Sequence, residues 1–353
     1  MRVAMVAPMW VRVPPEQYGG IELVVSLLTE DLVRRGVDVT LYASGDSVTK
    51  APLRYVYPKA IGFGMPHESF ILTHVAFAYG EVNQYDIVHN HAGVAGIAMA
   101  RLIKTPVLTT LHNNYFISEN KAFFEENKNN QFYNAISESQ KKSIPGLNYV
   151  KTVYNAIDPS QYPVTSEKED YLLSLGNICE VKGHDIAIQV ARRLEMRLII
   201  AGKLDLGGID FFNQKIKPEI DNKLVFFEGQ VSHERKLELF ARARAFLFPV
   251  RWEEPFGLVM VEAMACGTPV IGFRRGSVPE IVKDGETGFV VDTPDEMAAA
   301  VERAGEILPQ RCREHVEEKF SARKMTDDYV SVYEEIGERT FDGKAPKQER
   351  ART

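Results

Sequence analysis

Two glutamates, Glu254 and Glu262, stand eight residues apart in the segment RWEEPFGLVMVEAMACGTPV, residues 251–270. The apolar run that begins at Leu258 predicts a buried helix, and Glu262 lies inside it. A carboxylate at a buried position costs free energy unless it meets a hydrogen-bonding partner, and the hydroxyls of a ribose would be such a partner. The pair indicates a site for a sugar nucleotide, with a structural ion pair as the alternative.

The residues just before this helix favour an anion. Gly257 stands where a loop gives way to the helix, so the amides of Phe256, Gly257 and Leu258 should point free N–H groups outward. Helix N-termini bind phosphate because these amides and the helix dipole both favour negative charge. We therefore expect a diphosphate at this turn.

A second candidate segment is SLGNICEVKGH, residues 174–184, which follows a predicted strand at residues 171–175. Its cation, Lys182, could neutralise a phosphate group at the end of that strand. A lysine that is merely solvated is the alternative.

A third segment, PPEQYGGIE at residues 14–22, lies between the first predicted strand and the first predicted helix. Open α/β sheets receive phosphate at this place, and Gly19 and Gly20 would let the backbone approach a ligand closely. A dinucleotide site would need the spacing G-x-G-x-x-G, so NAD binding is disfavoured. A tight turn without a ligand is the alternative.

Three histidines, His89, His91 and His112, lie at the ends of predicted strands. That edge of a parallel sheet is where ligands bind, and His112 is the strongest candidate. Capping or core histidines are the alternative, and for His89 and His91 a structural role and an acceptor-site role both stay open. Zinc is disfavoured because no cysteine or carboxylate completes a ligand set at suitable spacing.

Short β-rich runs alternate with amphipathic helices, which predicts two parallel, doubly wound α/β sheets. The first half has predicted strands at 3–7, 37–43, 87–90, 106–111, 132–136 and 151–154, and a first helix at 21–35. A polar linker at 165–170 precedes strands at 171–175, 198–201, 224–227, 246–249, 270–273 and 289–291 and helices at 185–194, 234–245, 258–265 and 294–307. We expect domains at 1–163 and 164–321, a helix at 322–341 that crosses back to the first domain, and a disordered tail at 342–353.

Composition excludes several classes of protein. The first 163 residues carry 14 basic and 14 acidic side chains, so the net charge of −6 lies in the second half, and no basic face for nucleic acid is expected. No segment is apolar enough to cross a bilayer, and the first residues resemble no leader peptide. The three cysteines show no metal-like spacing and no disulfide framework, which favours the cytoplasm.

The run EPFGLVMVEAMACGTPVIG, with its Glu-x7-Glu pattern, resembles glycosyltransferase family 4. The resemblance implies the GT-B architecture, in which two Rossmann-like domains face a cleft, and a retaining transfer of a hexose from a nucleotide sugar to a hydroxyl. It implies that Glu262 holds the ribose, while Glu254 and the amides at residues 256–258 hold the sugar. His112, at the end of the T-x-H stretch Thr110–Leu111–His112, would contact the donor sugar.

The same resemblance places the donor's phosphates. The Gly19–Gly20 loop would face the donor phosphate, and residues 174–184 are similar to a family segment whose Arg and Lys clamp the pyrophosphate. Lys182 is present, but Asn177 stands where the family has Arg, so one cation is missing. Val231 falls in the segment GQV that resembles the strand end whose backbone usually contacts the donor base.

We expect no cofactor and no metal, because the chain contains no Asp-x-Asp pair and the departing diphosphate can be stabilised by amides and Lys182. The N-terminal stretch resembles a bacterial subgroup that includes transferases acting on secondary metabolites and pterin glucosyltransferases. UDP-glucose is the first expectation for the donor, with GDP-mannose as the alternative. A soluble acceptor is favoured over a membrane lipid, since no basic amphipathic patch marks the first domain.

Two other functions compete with this hypothesis. A GT-B epimerase acting on UDP-N-acetylglucosamine would lack the EPFG-x4-EA setting. A catalytically silent sugar-nucleotide-binding protein stays open because Asn177 replaces a phosphate-binding cation.

Overall fold

The structure is a computed structural model that describes residues 1–17, 19–62, 68–113 and 120–341. Tyr18 of the glycine-rich loop and the expected tail at 342–353 lie outside the described residues. The contacts divide the chain into two compact units.

The first unit contains a parallel sheet whose central strands are buried on both faces. Its strand order is β3-β2-β1-β4-β5-β6-β7, which is a doubly wound topology. The strands are β1 Arg2–Val6, β2 Asp38–Tyr42, β3 Leu53–Arg54, β4 Ile87–Asn90, β5 Val107–Leu111, β6 Phe132–Ala135 and β7 Tyr149–Thr152, and the helices between them are α1 Gly20–Arg34, α2 Glu68–Gly80, α3 Val94–Met99, α4 Lys121–Asn127 and α5 Glu138–Ser143.

The second unit repeats the plan with the strand order β10-β9-β8-β11-β12-β13, again parallel. Its strands are β8 Tyr171–Leu175, β9 Arg197–Ala201, β10 Val225–Gly229, β11 Ala245–Phe248, β12 Val270–Phe273 and β13 Gly288–Val291. Its helices are α6 His184–Arg193, α7 Ile209–Phe211, α8 His233–Arg242, α9 Leu258–Ala265, α10 Val278–Ile281, α11 Pro294–Glu302 and α12 Pro309–Lys319. The prediction of two parallel α/β sheets is confirmed.

Each sheet has a switch point, where successive crossovers leave in opposite directions. It lies between β1 and β4 in the first unit and between β8 and β11 in the second. Ligands of open α/β sheets bind at the carboxyl ends of such strands. The loops that follow these four strands are therefore the candidate ligand-binding sites.

The division between the units falls after Ala156, earlier than the expected boundary at 163. Ile157 bridges Ser321, and Tyr162 hydrogen-bonds Glu262, so this stretch packs with the second unit. The last helix, α13 Ala322–Phe341, is grouped with the first unit, where Arg35 of α1 pairs with Asp327.

Helix α12 lies where the sequence suggests no element. Only Cys312 and Val316 of its eleven residues are buried, so its apolar periodicity is too weak to detect.

Candidate functional site

The switch point of the second unit brings Lys182 and Glu254 together. Lys182 follows β8 and Glu254 follows β11, and these two strands are direct neighbours. Gly183 allows the loops to approach, because its φ is +71° and a Cβ there would lie 2.1 Å from the carbonyl oxygen of Pro249. Two segments that are about seventy residues apart in the sequence thus form one site.

Lys182 and Glu254 form an ion pair, with 2.5 Å between Nζ and Oε2. The indole Nε1 of Trp252 donates to the same oxygen at 2.9 Å, and the Lys182 ammonium lies 5.1 Å from the Trp252 ring centroid. Glu254 is buried, and its Oε1 has no hydrogen-bond partner among the described residues. One oxygen of this carboxylate is therefore occupied and the other is available for a hydroxyl group.

Glu262 shows the same arrangement within α9. Its Oε1 accepts hydrogen bonds from the Lys236 ammonium at 2.6 Å and from the Tyr162 hydroxyl at 3.1 Å. Burial and the neighbouring carboxylate raise the pKa of Tyr162, so its hydroxyl stays protonated and donates. Oε2 has no partner within the described ranges, which leaves it available to a ligand hydroxyl.

The N-terminus of α9 lies between these two carboxylates in the sequence. Gly257 caps the helix without a side chain, and no described group accepts from the amides of Gly257 or Leu258. Phe256 is buried against Phe320, and its carbonyl accepts from the Ser277 hydroxyl at 2.8 Å. The turn is thereby held in place with two amides open to an anion.

Asn177 lies in the loop that carries Lys182. Its carbonyl is 3.1 Å from His184 Nε2, and the other ring nitrogen of His184 is 2.8 Å from the Ser174 hydroxyl. These contacts fix the loop but add no charge. Arg251 does not replace the missing cation, because its guanidinium forms two hydrogen bonds with the Asp185 carboxylate.

Val231 lies in the loop after β10, just before Ser232, whose side chain caps α8. It is partly exposed. Its predicted contact with the donor base stays a prediction.

In the first unit, His91 and His112 follow the neighbouring strands β4 and β5. Nδ1 of His91 lies 2.8 Å from Nε2 of His112. Burial lowers the pKa of His112 to about 3 and that of His91 well below its usual range, so both rings are neutral at pH 7. The pair can donate or accept hydrogen bonds but cannot supply positive charge. The role of His112 toward a donor sugar stays a prediction.

His89 has a structural environment. It is fully buried, with its ring nitrogens 2.7 Å from the Tyr333 hydroxyl and 2.8 Å from the Thr110 hydroxyl. These two contacts satisfy both nitrogens, which favours the core role that the sequence left open for His89.

Gly19 and Gly20 form the N-terminus of α1, after the first switch-point strand. Gly19 is the N-cap, and the cap has no side-chain hydrogen bond. The glycine pair thus lies at a helix N-terminus after β1, which is the kind of place where the sequence predicts a phosphate.

Sequence reasoning missed Trp252, Tyr162 and Lys236, which hold the two carboxylates. A signal existed for Lys236: it precedes buried Leu239 and Phe240 by three and four residues, so it shares their helix face. A lysine on the inward face of a helix predicts a buried acidic partner.

Two family models match the chain. Glycosyltransferase Family 4 matches residues 18–161, and Glycosyl transferases group 1 matches residues 160–319. The matches follow one another along the sequence and extend over both sheets. The chain belongs to glycosyltransferase family 4.

This family 4 glycosyltransferase is 27% identical to N-acetyl-alpha-D-glucosaminyl L-malate synthase of Bacillus anthracis, over 90% of this chain and 94% of that protein. It is 25% identical to a D-inositol 3-phosphate glycosyltransferase of a Mycobacterium species, over 78% and 75% of the two chains.

Solved structures share its fold. AviGT4, a glycosyltransferase involved in avilamycin A biosynthesis, aligns with a TM-score of 0.72 at 24% identity over 97% of this chain and 98% of its own. Anabaena HepE in complex with UDP and glucose aligns with a TM-score of 0.74 at 17% identity over 95% and 100%. The expected GT-B fold class is thereby confirmed.

In the part of this glycosyltransferase that the structure describes, no helix is long and apolar enough to cross a membrane. Within the same ranges, no group of three or more His, Cys, Asp or Glu side chains could hold a metal ion.

Proposed function

We propose that the protein is a retaining glycosyltransferase that moves glucose from UDP-glucose to an acceptor hydroxyl without a metal ion. The observation that carries this proposal is the pair of half-occupied carboxylates. Glu254 and Glu262 each bind a lysine through one oxygen and leave the other open, and the open amides of the α9 N-terminus lie between them in the sequence. This arrangement suits a ligand with hydroxyls on both sides of a diphosphate.

Each group has a defined task in this proposal. The free oxygen of Glu262 accepts from the ribose hydroxyls, the free oxygen of Glu254 accepts from hydroxyls of the sugar, and Lys182 with the amides of Gly257 and Leu258 binds the diphosphate. The acceptor oxygen bonds to the anomeric carbon on the face from which the diphosphate leaves. The acceptor's proton passes to the departing diphosphate, so no protein nucleophile is required.

Two similar proteins support a nucleotide-sugar donor. HepE has been solved with UDP and glucose and also with UDP-glucose. The Escherichia coli O-antigen chain mannosyltransferase C, 22% identical to this chain, supports mannose as the second candidate sugar. GDP-mannose is therefore the alternative donor.

The three free cysteines support a cytoplasmic location.

A panel of UDP, GDP and ADP sugars in a thermal-shift assay tests the donor. Ligands that bind the folded state raise the midpoint of unfolding, so UDP-glucose should give the largest rise. Release of glucose from UDP-glucose without an acceptor would then separate a transferase from a silent binding protein. Binding without turnover, with or without a panel of acceptors, would favour the silent binder.

Excess EDTA is expected to leave turnover unchanged. In the proposed site Lys182 and helix amides, and no divalent cation, neutralise the diphosphate. The measurement is UDP release before and after chelation, with the same buffer lacking EDTA as control. A loss of turnover that magnesium or manganese restores would refute the metal-free mechanism.

The product is expected to keep the α configuration of the donor. Attack on the face from which the diphosphate leaves preserves the configuration at the anomeric carbon. Proton NMR of the product measures the coupling at that carbon. A β-linked product would contradict retention while leaving the donor assignment intact.

A further inference from the structure

Glu22, in the first turn of α1, is a buried carboxyl without a cation. Its side chain is 4% exposed, and no described residue forms an ion pair with it. Its hydrogen bond is with its own backbone amide. A buried carboxylate with no countercharge is costly, so its presence in this turn requires a reason.

The charged groups on the loop before α1, on α1 and on α13 have partners other than Glu22. Arg12 and Glu16, on the loop before the helix, form a pair at 3.4 Å. On α1 itself Glu30 accepts from the Thr49 hydroxyl, and Asp31 pairs with Arg34 and Arg35 in the last turns. On α13, which packs against α1, Asp327 pairs with Arg35. None of these groups neutralises the Glu22 carboxyl.

Helix capping does not account for Glu22. It is the third residue of the helix, from where a glutamate can reach back to the amide of the N-cap residue. The carboxyl does fold over the N-cap, since a Cβ on Gly19 would lie 2.9 Å from Glu22 Oε2. The Gly19 amide nevertheless makes no hydrogen bond with it in the described structure. The carboxyl therefore lies over the glycine pair but does not accept the hydrogen bond from the N-cap amide that would cap the helix.

Burial raises the pKa of Glu22 to about 7, although the helix dipole favours the anion at this end. The carboxyl is thus about half protonated at neutral pH. A second anion placed beside it would favour the protonated form further, because two adjacent negative charges repel each other.

The first turn of α1 offers a place for such an anion. The amides of Gly20 and Ile21 have no acceptor among the described residues, and the helix is fifteen residues long. We infer that Glu22 works as a neutral carboxylic acid that donates a hydrogen bond to a phosphate group at this turn, so that phosphate binding protonates the fraction of Glu22 that is ionised beforehand. This inference rests on the proposed function, which supplies a phosphate-bearing substrate. The phosphate can come from the donor's diphosphate or from a phosphorylated acceptor.

A carboxyl titration by ¹³C NMR of the full-length protein, with Glu22→Gln to assign the signal, tests the inference directly. Sulfate is the probe, because it keeps its charge across the neutral range and does not titrate itself. Glu22 should titrate near pH 7, and sulfate should move its midpoint upward. A midpoint that sulfate leaves unchanged or lowers would overturn the inference.

Three variants test whether Glu22 acts as a neutral acid, as a base or only through its packing. Glu22→Gln keeps an N–H donor at every pH, so its sulfate affinity should lose the decline with rising pH that the parent shows. Glu22→Ala should weaken sulfate binding by about tenfold. Glu16→Gln, which removes an exposed charge from the same loop, should behave like the parent. A parent-like pH dependence in Glu22→Gln would contradict the proton uptake.

Two further titrations identify the source of the phosphate. An upward shift of the Glu22 midpoint with UDP-glucose assigns the phosphate to the donor, and a shift with inositol phosphate assigns it to the acceptor. No shift with either would overturn the role in substrate binding. If sulfate moves the midpoint but no nucleotide sugar is turned over, the proposed function fails while the protonated carboxyl stands.

Discussion

Replacing Lys182 by alanine is expected to lower kcat/KM by at least about thirtyfold, which corresponds to ~2 kcal/mol of transition-state stabilisation. Asn177 supplies no charge at the position where the resemblance implies an arginine, and Arg251 is paired with Asp185. In the proposed site, Lys182 therefore neutralises an unusually large share of the diphosphate's charge. UDP release at several donor concentrations measures the effect.

The loss must be separated from the ion pair that Lys182 makes with Glu254. Removing the lysine leaves a buried carboxylate with only Trp252 as partner, and that change alone can disturb the site. Glu254→Gln in the Lys182→Ala background removes the unpaired charge. If the lysine acts on the phosphate, the double variant is at least as slow as Lys182→Ala, because Glu254 is itself proposed to bind the sugar. Recovery of turnover in the double variant would mean that the unpaired carboxylate caused the loss.

Lys283→Ala is the matched control, because that lysine is exposed and pairs with Glu286. It should leave kcat/KM unchanged. Asn177→Arg should tighten UDP binding if the site merely lacks a charge. A Lys182→Ala enzyme within twofold of the parent would mean that the phosphate is held elsewhere.

Much of the fold could be predicted because buried parallel strands are short apolar runs with little ambiguity. Strands such as β8 and β12 match their predicted bounds, and the alternation with amphipathic helices implies the doubly wound order. Helix α9 was predictable for a similar reason, because an unbroken apolar run after a glycine is compatible with few structures other than a buried helix. Helix α12 was not, because it buries too few side chains.

The candidate site was predictable only for residues that break a pattern. Glu262 stands out as a charge in an apolar helix, and Lys236 stands out only by its place on the buried face of α8. Tyr162 looks ordinary in its own segment. Tyr162 is one hundred residues away in the sequence, and only the packing of α9 against the stretch after Ala156 brings it close. Pairing between distant side chains is set by tertiary structure, which local patterns do not encode.

The protonation state of Glu22 also could not be inferred without the structure. The dipole of a helix ordinarily stabilises the anionic form of a glutamate in its first turn. Burial without a cation has the opposite effect on Glu22 and raises its pKa. Desolvation depends on what covers the group, and the sequence does not specify this.

Glu262→Ala is expected to weaken UDP binding by roughly 1–3 kcal/mol through the loss of charge-assisted hydrogen bonds to ribose. It should also destabilise the fold by roughly 3–5 kcal/mol, because Lys236 loses the carboxylate that neutralises it in a largely buried position. Calorimetric titration with UDP measures the first effect, and urea unfolding measures the second. Equal UDP affinity in variant and parent would remove Glu262 from the donor site.

The two effects can be separated because they use different oxygens of the same carboxylate. Lys236 and Tyr162 contact Oε1, whereas the ribose is proposed to contact Oε2. Lys236→Met should therefore reduce stability more than UDP affinity. The double variant Glu262→Gln with Lys236→Met removes both charges of this pair, so it should recover much of the lost stability while UDP binding stays weak. Recovery of both quantities together would show that Glu262 merely supports the fold and does not bind the nucleotide.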